Sequence, residues 1–390
     1  MFETKQHRIL ILTGHYGDGH KQAAAAIAQA LYEKHPDAHV IILDPSANSN
    51  KLLDSVSRQL YIKGVQKFPV AYHYIYEKTR RPNHASALLK KFNQIGARSL
   101  LKIIRTIKPT MIISTCPIAS GMIAILKKNS GLRVPSGTVI TDYSAHSTWV
   151  YPYTDVYFVG SEKVRRGLQE LGVADNKIVV SGIPTSPRFS KNFDRAALKR
   201  KHSISEQIPV VLMTGGGYGL FSGEASIFQS LEKLPFTIQL VIVCGRNRRL
   251  YQRLNTELKA SKHKVLLTGF IDHIEELMAV ADLLITKAGG MTVSEALAMK
   301  LPMLLYPTIS GQEYDNTQFL VETRAALLAN NVQDLQMKVM QMLKDPHLLE
   351  RMRHQAAQLS QMDAAQDIIE EMKQLVADSL SLPFNQGISV

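Results

Sequence analysis

Three segments of this chain carry residue types and spacings suited to a phosphorylated ligand. Ile9–Leu12 runs into Gly14-His15-Tyr16-Gly17-Asp18-Gly19-His20. Val210–Met213 runs into Thr214-Gly215-Gly216-Gly217-Tyr218-Gly219. Leu283–Ile285 runs into Thr286-Lys287-Ala288-Gly289-Gly290-Met291-Thr292, with Glu295 one turn further on. Each reads as an apolar strand, a glycine turn and a helix start. Glycine lets the backbone approach an anion, and the free N–H groups and dipole of a helix start favour negative charge. Gly215, Gly216, Gly217, Lys287, Gly289 and Gly290 are therefore candidates for a diphosphate cradle, with Met291 and Thr292 at the helix start. The competing reading is a set of tight turns that hold nothing.

Other residue types extend this chemistry. A carboxylate one turn into a helix, as at Glu295, can accept both hydroxyls of a ribose. Thr292-x-x-Glu295 also fits a capping box, so both readings stand. Gln312, Glu313 and Asn316 open a further helix, where amide and carboxylate groups can bind sugar hydroxyls. An acid placed there to favour the helix dipole is the plainer alternative. His20 closes the first glycine turn. Histidine is suited to take a proton near neutral pH because its reference pKa is about 6.5. Asp18 and Asp142 are rival bases. No Asp-x-Asp motif occurs, and Cys116 and Cys244 stand far apart in apolar stretches. No metal, no cofactor and no disulfide framework are expected.

These turns need a scaffold. The chain has 390 residues, 45% of them hydrophobic, enough for two or three domains with full cores. Short apolar strands alternate with helical stretches, which predicts mostly parallel sheets covered on both faces. The predicted strands are Ile9–Leu12, His39–Leu43, Met111–Ser114, Gly137–Thr141, Val156–Val159 and Lys177–Ser181. A second set follows at Val210–Met213, Gln239–Val243, Lys264–Thr268, Leu283–Ile285 and Met303–Tyr306. The expected domains are 1–188, 189–355 and a C-terminal helix and tail, 356–390, that packs back on the first. From Asp378 the tail reads as loose. No run reaches the roughly 18 apolar residues of a membrane span. A cytoplasmic protein is expected.

The net charge of +13 is unevenly placed. Lys51, Arg58, Lys63, Lys67, Lys78, Arg80, Arg81, Lys90, Lys91, Arg98, Lys102, Arg105 and Lys108 face only Asp54 and Glu77 in that stretch. Tyr61, Phe68, Tyr72, Tyr74 and Tyr76 interleave its first part. Such a segment suits an anionic membrane surface, with Lys63, Lys67, Arg80 and Arg81 on lipid phosphates. A solvated helix face is the plainer reading. No recognised nucleic-acid motif occurs, so no nucleic-acid partner is expected.

Six motifs now stand in a recognisable order: Gly17-Asp-Gly-His20, Thr141-Asp-Tyr-Ser-Ala-His-Ser-Thr-Trp149, Gly182-Ile-Pro184, Thr286-Lys-Ala-Gly-Gly290, Ser294-Glu-Ala296 and Gly311-Gln-Glu-Tyr-Asp-Asn316. Through them the chain resembles the monogalactosyldiacylglycerol synthases and processive diacylglycerol glucosyltransferases of glycosyltransferase family 28. The resemblance runs from about Arg8 to about Leu343. It implies a GT-B fold: two Rossmann-like domains with parallel sheets facing a central cleft. It implies an inverting transfer of a hexose, glucose first among candidates, from a UDP-sugar to the hydroxyl of diacylglycerol or a related lipid. The enzyme would sit peripherally on the inner face of the cell membrane.

The resemblance also implies roles. Glu295 binds the ribose, the backbone at Phe270 and Ile271 meets the uracil, and Gln312, Glu313 and Asn316 hold the hexose. His20 lies near the acceptor hydroxyl, and His146 and Trp149 lie by the lipid headgroup, an interfacial place that suits a tryptophan. Relatives often read Gly-Ile-Pro-x-Arg with the arginine at the donor phosphates. Here Ser186 fills that position and Arg188 follows two residues later, either taking the contact or leaving it unmade. Alternatives on the same fold are a lipid-I-type transferase using UDP-N-acetylglucosamine and a UDP-sugar 2-epimerase. A dehydrogenase is disfavoured, because Gly14-x-x-Gly17-x-Gly19 reverses the order of the dinucleotide fingerprint.

Overall fold

The computed structural model describes residues 8–14, 18–45, 69–92, 96–217, 224–306 and 311–381. The chain divides into two compact units. The first comprises Met1–Lys67, Ile75–Ser186 and Asp363–Val390, and the second Phe68–Tyr74 and Pro187–Met362.

In the first unit, β1 (Arg8–Leu12), β2 (His39–Leu43), β3 (Met111–Ser114), β4 (Ser136–Val139), β5 (Val156–Val159) and β6 (Ile178–Val180) form one sheet. Its order is β2-β1-β3-β4-β5-β6 and every pairing is parallel. The register sets Ile9 between Val40 and Met111. β1 and β3 are buried almost throughout, as expected of strands covered on both faces. One layer is the alanine-rich helix Asp18–Lys34, whose Ile27 and Leu31 are fully buried. The C-terminal helix Ala364–Ser381 packs against it and adds Ile368, Ile369 and Met372 to the same core. That helix continues past Asp378 to Ser381, where the tail was expected to be loose, and the Ser379 and Ser381 hydroxyls donate to the Val376 and Asp378 carbonyls.

The second unit repeats the plan with β7 (Val210–Thr214), β8 (Gln239–Val243), β9 (Lys264–Thr268), β10 (Leu283–Thr286), β11 (Met303–Leu305) and β12 (Ala326–Leu328). Their order is β12-β11-β10-β7-β8-β9, again parallel throughout. The chain winds outward from β7 in one direction, then returns to β10 and winds in the other. The switch point between β7 and β10 is where open parallel sheets hold ligands, beyond the carboxyl ends of the strands. Asp282 fixes this pair from below. Its Oδ2 accepts the Val210 N–H at 2.9 Å and its Oδ1 pairs with Arg195 at 2.9 Å. β12 and the helices Val332–Lys344 and Pro346–Leu359 complete the unit beyond the predicted strands.

Candidate active site

Because β7 and β10 are hydrogen-bonded neighbours, the two glycine turns that follow them meet. Gly216 has φ +80°, and a Cβ there would lie 3.8 Å from Thr292 Oγ1. Its N–H is held by Thr214 Oγ1 at 3.3 Å. The turn after β8 closes the third side: Gly245, at φ +56°, lies so near that an added Cβ would come 2.7 Å from Gly217 O. Only glycine fits there, since a side chain would meet backbone. Gly216 and Thr292 are thus neighbours, and Gly215–Gly217 and Gly289–Gly290 follow two adjacent strands.

The helix Gly290–Ala298 starts on Gly289, and no side chain caps it. Its first N–H groups, at Gly290, Met291 and Thr292, have no partner inside the helix. Thr292 already lies inside the helix, so it is not an N-cap and the capping-box reading of Glu295 is withdrawn. Glu295 is 7% exposed, and burial raises its carboxyl pKa to about 8, with Glu275 raising it further and Arg188 opposing.

Lys287 Nζ lies 2.6 Å from Glu313 Oε1, so two of the predicted residues pair with each other. Asn316 is fully buried and donates from Nδ2 to Ala288 O at 2.9 Å, bracing the turn from below. Tyr72 of the same unit donates its hydroxyl to Gln312 Oε1 at 3.0 Å. Phe270 is exposed and Ile271 half-buried just after β9. Phe270 lines a cavity of about 700 Å³ with Gly245, Arg246, Tyr251 and Gln252, and the Arg246 guanidinium stacks 4.4 Å from its ring centroid. Arg246 and Glu275 escaped the sequence reading. The glycine directly before Arg246, at a strand end, is the signal that could have found it.

Arg188 reaches the segment after β9. It donates to Asp272 O at 2.9 Å and lies 3.4 Å from Glu275 Oε1.

In the first unit, His20 sits in the opening turn of Asp18–Lys34, at the carboxyl end of β1. Its Nδ1 is 3.0 Å from Thr141 Oγ1, and Thr115 Oγ1 donates to its backbone carbonyl at 2.9 Å. Burial lowers the imidazole pKa to about 4, against the opposing effects of a hydrogen bond between the ring and the Thr115 backbone and of Asp44. The ring is therefore neutral at pH 7. Asp18 and Asp142 are both half-buried near the same strand ends.

His146 and Trp149 depart from expectation. Trp149 is 4% exposed, packed with Ile140, Tyr157 and Leu168, and its ring meets His20 edge-on at 6.0 Å. It is a core residue and not an interfacial one. His146 is also buried. Its Nδ1 accepts the Thr148 N–H at 3.2 Å and its Nε2 is 3.0 Å from Tyr76 O, which fits the neutral Nε2–H form. Ser147 Oγ donates to Thr79 O at 2.7 Å. The motif fastens the end of the helix Pro69–Thr79 to the sheet.

Lys63 and Lys67 lie outside the described residues. Arg80 pairs with Glu77 at 2.5 Å and stacks on Tyr76, while Arg81 is exposed. Lys90 turns inward to Val150 O at 2.8 Å, and burial lowers its pKa. Lys78 and Lys91 remain exposed, beside exposed Val70, Tyr74, Ile75, Leu88 and Leu89. No helix among the described residues is long and apolar enough to cross a membrane.

Comparison with known proteins bears on this arrangement. Residues 20–185 match the Monogalactosyldiacylglycerol (MGDG) synthase family and residues 210–371 the glycosyltransferase family 28 C-terminal domain. A processive diacylglycerol beta-glucosyltransferase of Staphylococcus carnosus is 30% identical over 360 residues, covering 91% of this chain and 90% of that one. One of Bacillus cytotoxicus is 28% identical over 366 residues, covering 94% and 93%. The crystal structure of Acinetobacter baumannii MurG superposes with a TM-score of 0.62 at 16% identity, over 95% of this chain and 100% of that one, and shows the GT-B fold. Two glycine turns at one switch point, a 30%-identical relative matched over 91% of this chain and this fold agree: the chain belongs to the diacylglycerol glycosyltransferases of glycosyltransferase family 28, and is a hexosyltransferase.

Proposed function

We propose that this enzyme moves glucose from UDP-glucose to the hydroxyl of diacylglycerol, with inversion, at the inner face of the cell membrane. The observation that carries the donor half is the convergence of the β7 and β10 turns with a buried carboxylate one helical turn away. In this reading the diphosphate rests on Gly215–Gly217 and the N–H groups of Gly290–Thr292, which supply the positive field a leaving diphosphate needs. Lys287 leaves Glu313 to reach the phosphates, and Glu313 and Gln312 then face the hexose. Glu295 accepts the ribose hydroxyls, and the uracil enters the cavity walled by Phe270 and Arg246. Asn316 acts through the turn it braces.

His20 takes the proton of the acceptor hydroxyl as that oxygen attacks the anomeric carbon and UDP departs. Its neutral ring supports this role, and Thr141 orients it. Glucose and diacylglycerol are favoured over other sugars and lipids by the relatives' activity as named. The exposed apolar and basic side chains of the helices Pro69–Thr79 and His84–Phe92 support docking on an anionic lipid surface. Incubation with labelled UDP-glucose or UDP-galactose and diacylglycerol vesicles, with the lipids then resolved, tests the whole reading. Labelled glucosyl-diacylglycerol is expected; label on another sugar or acceptor, or none, refutes it.

A further inference from the structure

The helix Pro69–Thr79 is divided between the two units: Phe68–Tyr74 belongs to the second and the residues from Ile75 on to the first. Its tyrosines sort by face. Val70 and Tyr74, four residues apart, are exposed. Tyr72 and Tyr76, also four apart, are half-buried on another face. Tyr76 is engaged within the first unit, where its hydroxyl lies 2.9 Å from Ser144 Oγ and its ring 4.4 Å from that of His146. Tyr72 serves the second unit. Its hydroxyl donates to Gln312 Oε1 at 3.0 Å, across 240 positions of sequence. The next residue, His73, sets its ring edge-on to Tyr314 at 5.8 Å. Two consecutive residues thus hold the first turn of the helix Gly311–Glu322, one by a hydrogen bond and one by ring contact.

We propose that Tyr72 is a positioning residue for the donor sugar: its hydroxyl fixes the Gln312 amide so that the amide's N–H groups are presented to the hexose of the UDP-sugar. The inference rests on the reading of Gln312 as a hexose ligand. A glutamine side chain rotates about several bonds, and holding it in one orientation costs entropy that ligand binding would otherwise have to supply. The Tyr72 bond meets that cost before the sugar arrives. As a donor the phenol takes Oε1, and the planar amide then offers the two donors of Nε2 to sugar oxygens. Gln312 is half-buried, so a ligand can reach it. The aromatic segment read as a lipid-docking surface therefore contributes one side chain to the donor site.

The test compares two ligands across four proteins. UDP and UDP-glucose are titrated by calorimetry, without lipid, into wild type, Tyr72→Phe, Gln312→Ala and the double variant. Tyr72→Phe removes one oxygen and keeps the ring. It should weaken UDP-glucose about fivefold, the share of one hydrogen bond, and leave UDP, which has no hexose, within about twofold of wild type. Gln312→Ala should weaken UDP-glucose about tenfold and likewise spare UDP. The double variant should bind UDP-glucose no more weakly than Gln312→Ala, because Tyr72 acts only through the amide. A tyrosine that merely supports the fold would weaken both ligands alike, and that result overturns the inference. Additive losses in the double variant overturn it too, because Tyr72 then acts on the sugar without Gln312. If Gln312→Ala weakens UDP-glucose but Tyr72→Phe does not, the inference falls and the hexose reading of Gln312 stands. If Gln312→Ala binds UDP-glucose as wild type does, that reading and this inference fall together.

Discussion

Replacing Glu295 by glutamine should change how UDP binding depends on pH. The carboxyl is buried and its pKa stands at about 8, against 4.5 for an unperturbed group. If the ribose needs the ionised form, about one molecule in ten is competent at pH 7 and about nine in ten at pH 9. Apparent affinity scales with the competent fraction, so wild type should bind UDP about tenfold more weakly at pH 7 than at pH 9, a cost of about 1.4 kcal/mol. Glutamine cannot ionise. It should lose the charge-assisted bonds, about 1.5–3 kcal/mol, and with them the pH dependence. The two proteins should converge near pH 6 and separate by about tenfold or more at pH 9. Titration calorimetry at four pH values reads this directly, and the variant's own profile subtracts the ionisation of UDP.

The same group predicts a stability trend of fixed sign. Its folded pKa lies above its unfolded value, so its contribution is complete below about pH 4.5 and is lost as pH rises through about 8. The slope in that window is about 1.4 kcal/mol per pH unit. Glu295→Gln should therefore gain stability relative to wild type between pH 6 and 8, seen in urea midpoints. A gap in UDP affinity that stays constant with pH, or a wild-type profile no steeper than the variant's, refutes the reasoning.

Other outcomes follow from the same geometry. His20→Ala should lower transfer by more than about 100-fold, the usual share of a general base, while leaving the UDP dissociation constant near wild type; activity within a few-fold moves the role to Asp142 or Asp18. Because the His20 pKa is lowered to about 4, the rate should show no loss assignable to its protonation from pH 8 down to about 5, and an inflection near 6.5 in kcat/KM would contradict that. Asn316→Ala should cost about 1–3 kcal/mol in chemical denaturation, since it leaves the buried Ala288 carbonyl unpaired, and should weaken UDP; unchanged stability would show that the turn stands without it. Calorimetry in excess chelator should show UDP binding undiminished, and a requirement for magnesium would displace the helix-start cradle from its proposed role. The protein should sediment with phosphatidylglycerol vesicles and be released by high salt, each exposed lysine or arginine contributing about 1 kcal/mol. Reversing Lys63, Lys67, Arg80 and Arg81 to glutamate should reduce that binding; indifference to anionic vesicles at low salt would make the basic run a solvated face.

The strands were legible because parallel strands buried on both faces are continuous apolar runs, and Ile9–Leu12, Val210–Met213 and Leu283–Ile285 stand out against any surface segment. The glycine turns were legible for a related reason, since glycine directly after such a run has few other uses. Order along the chain could not show that the turns after β7 and β10 touch. That follows from the switch in winding direction, which makes strands far apart in sequence into neighbours. The same limit hid the roles of single polar residues. His146 and Trp149 look like surface chemistry in a motif, but both are buried, one capping a turn and one filling the core. Glu275 looks like an acid placed for its helix dipole. Its approach to Arg188 at 3.4 Å is a contact between segments far apart in the chain. Which elements form, and which residue types can meet an anion, depend on local pattern and are readable along the chain. Which side chains share a charge, and which are spent on holding the fold, was decided by tertiary structure, because burial and partners belong to contacts between distant segments.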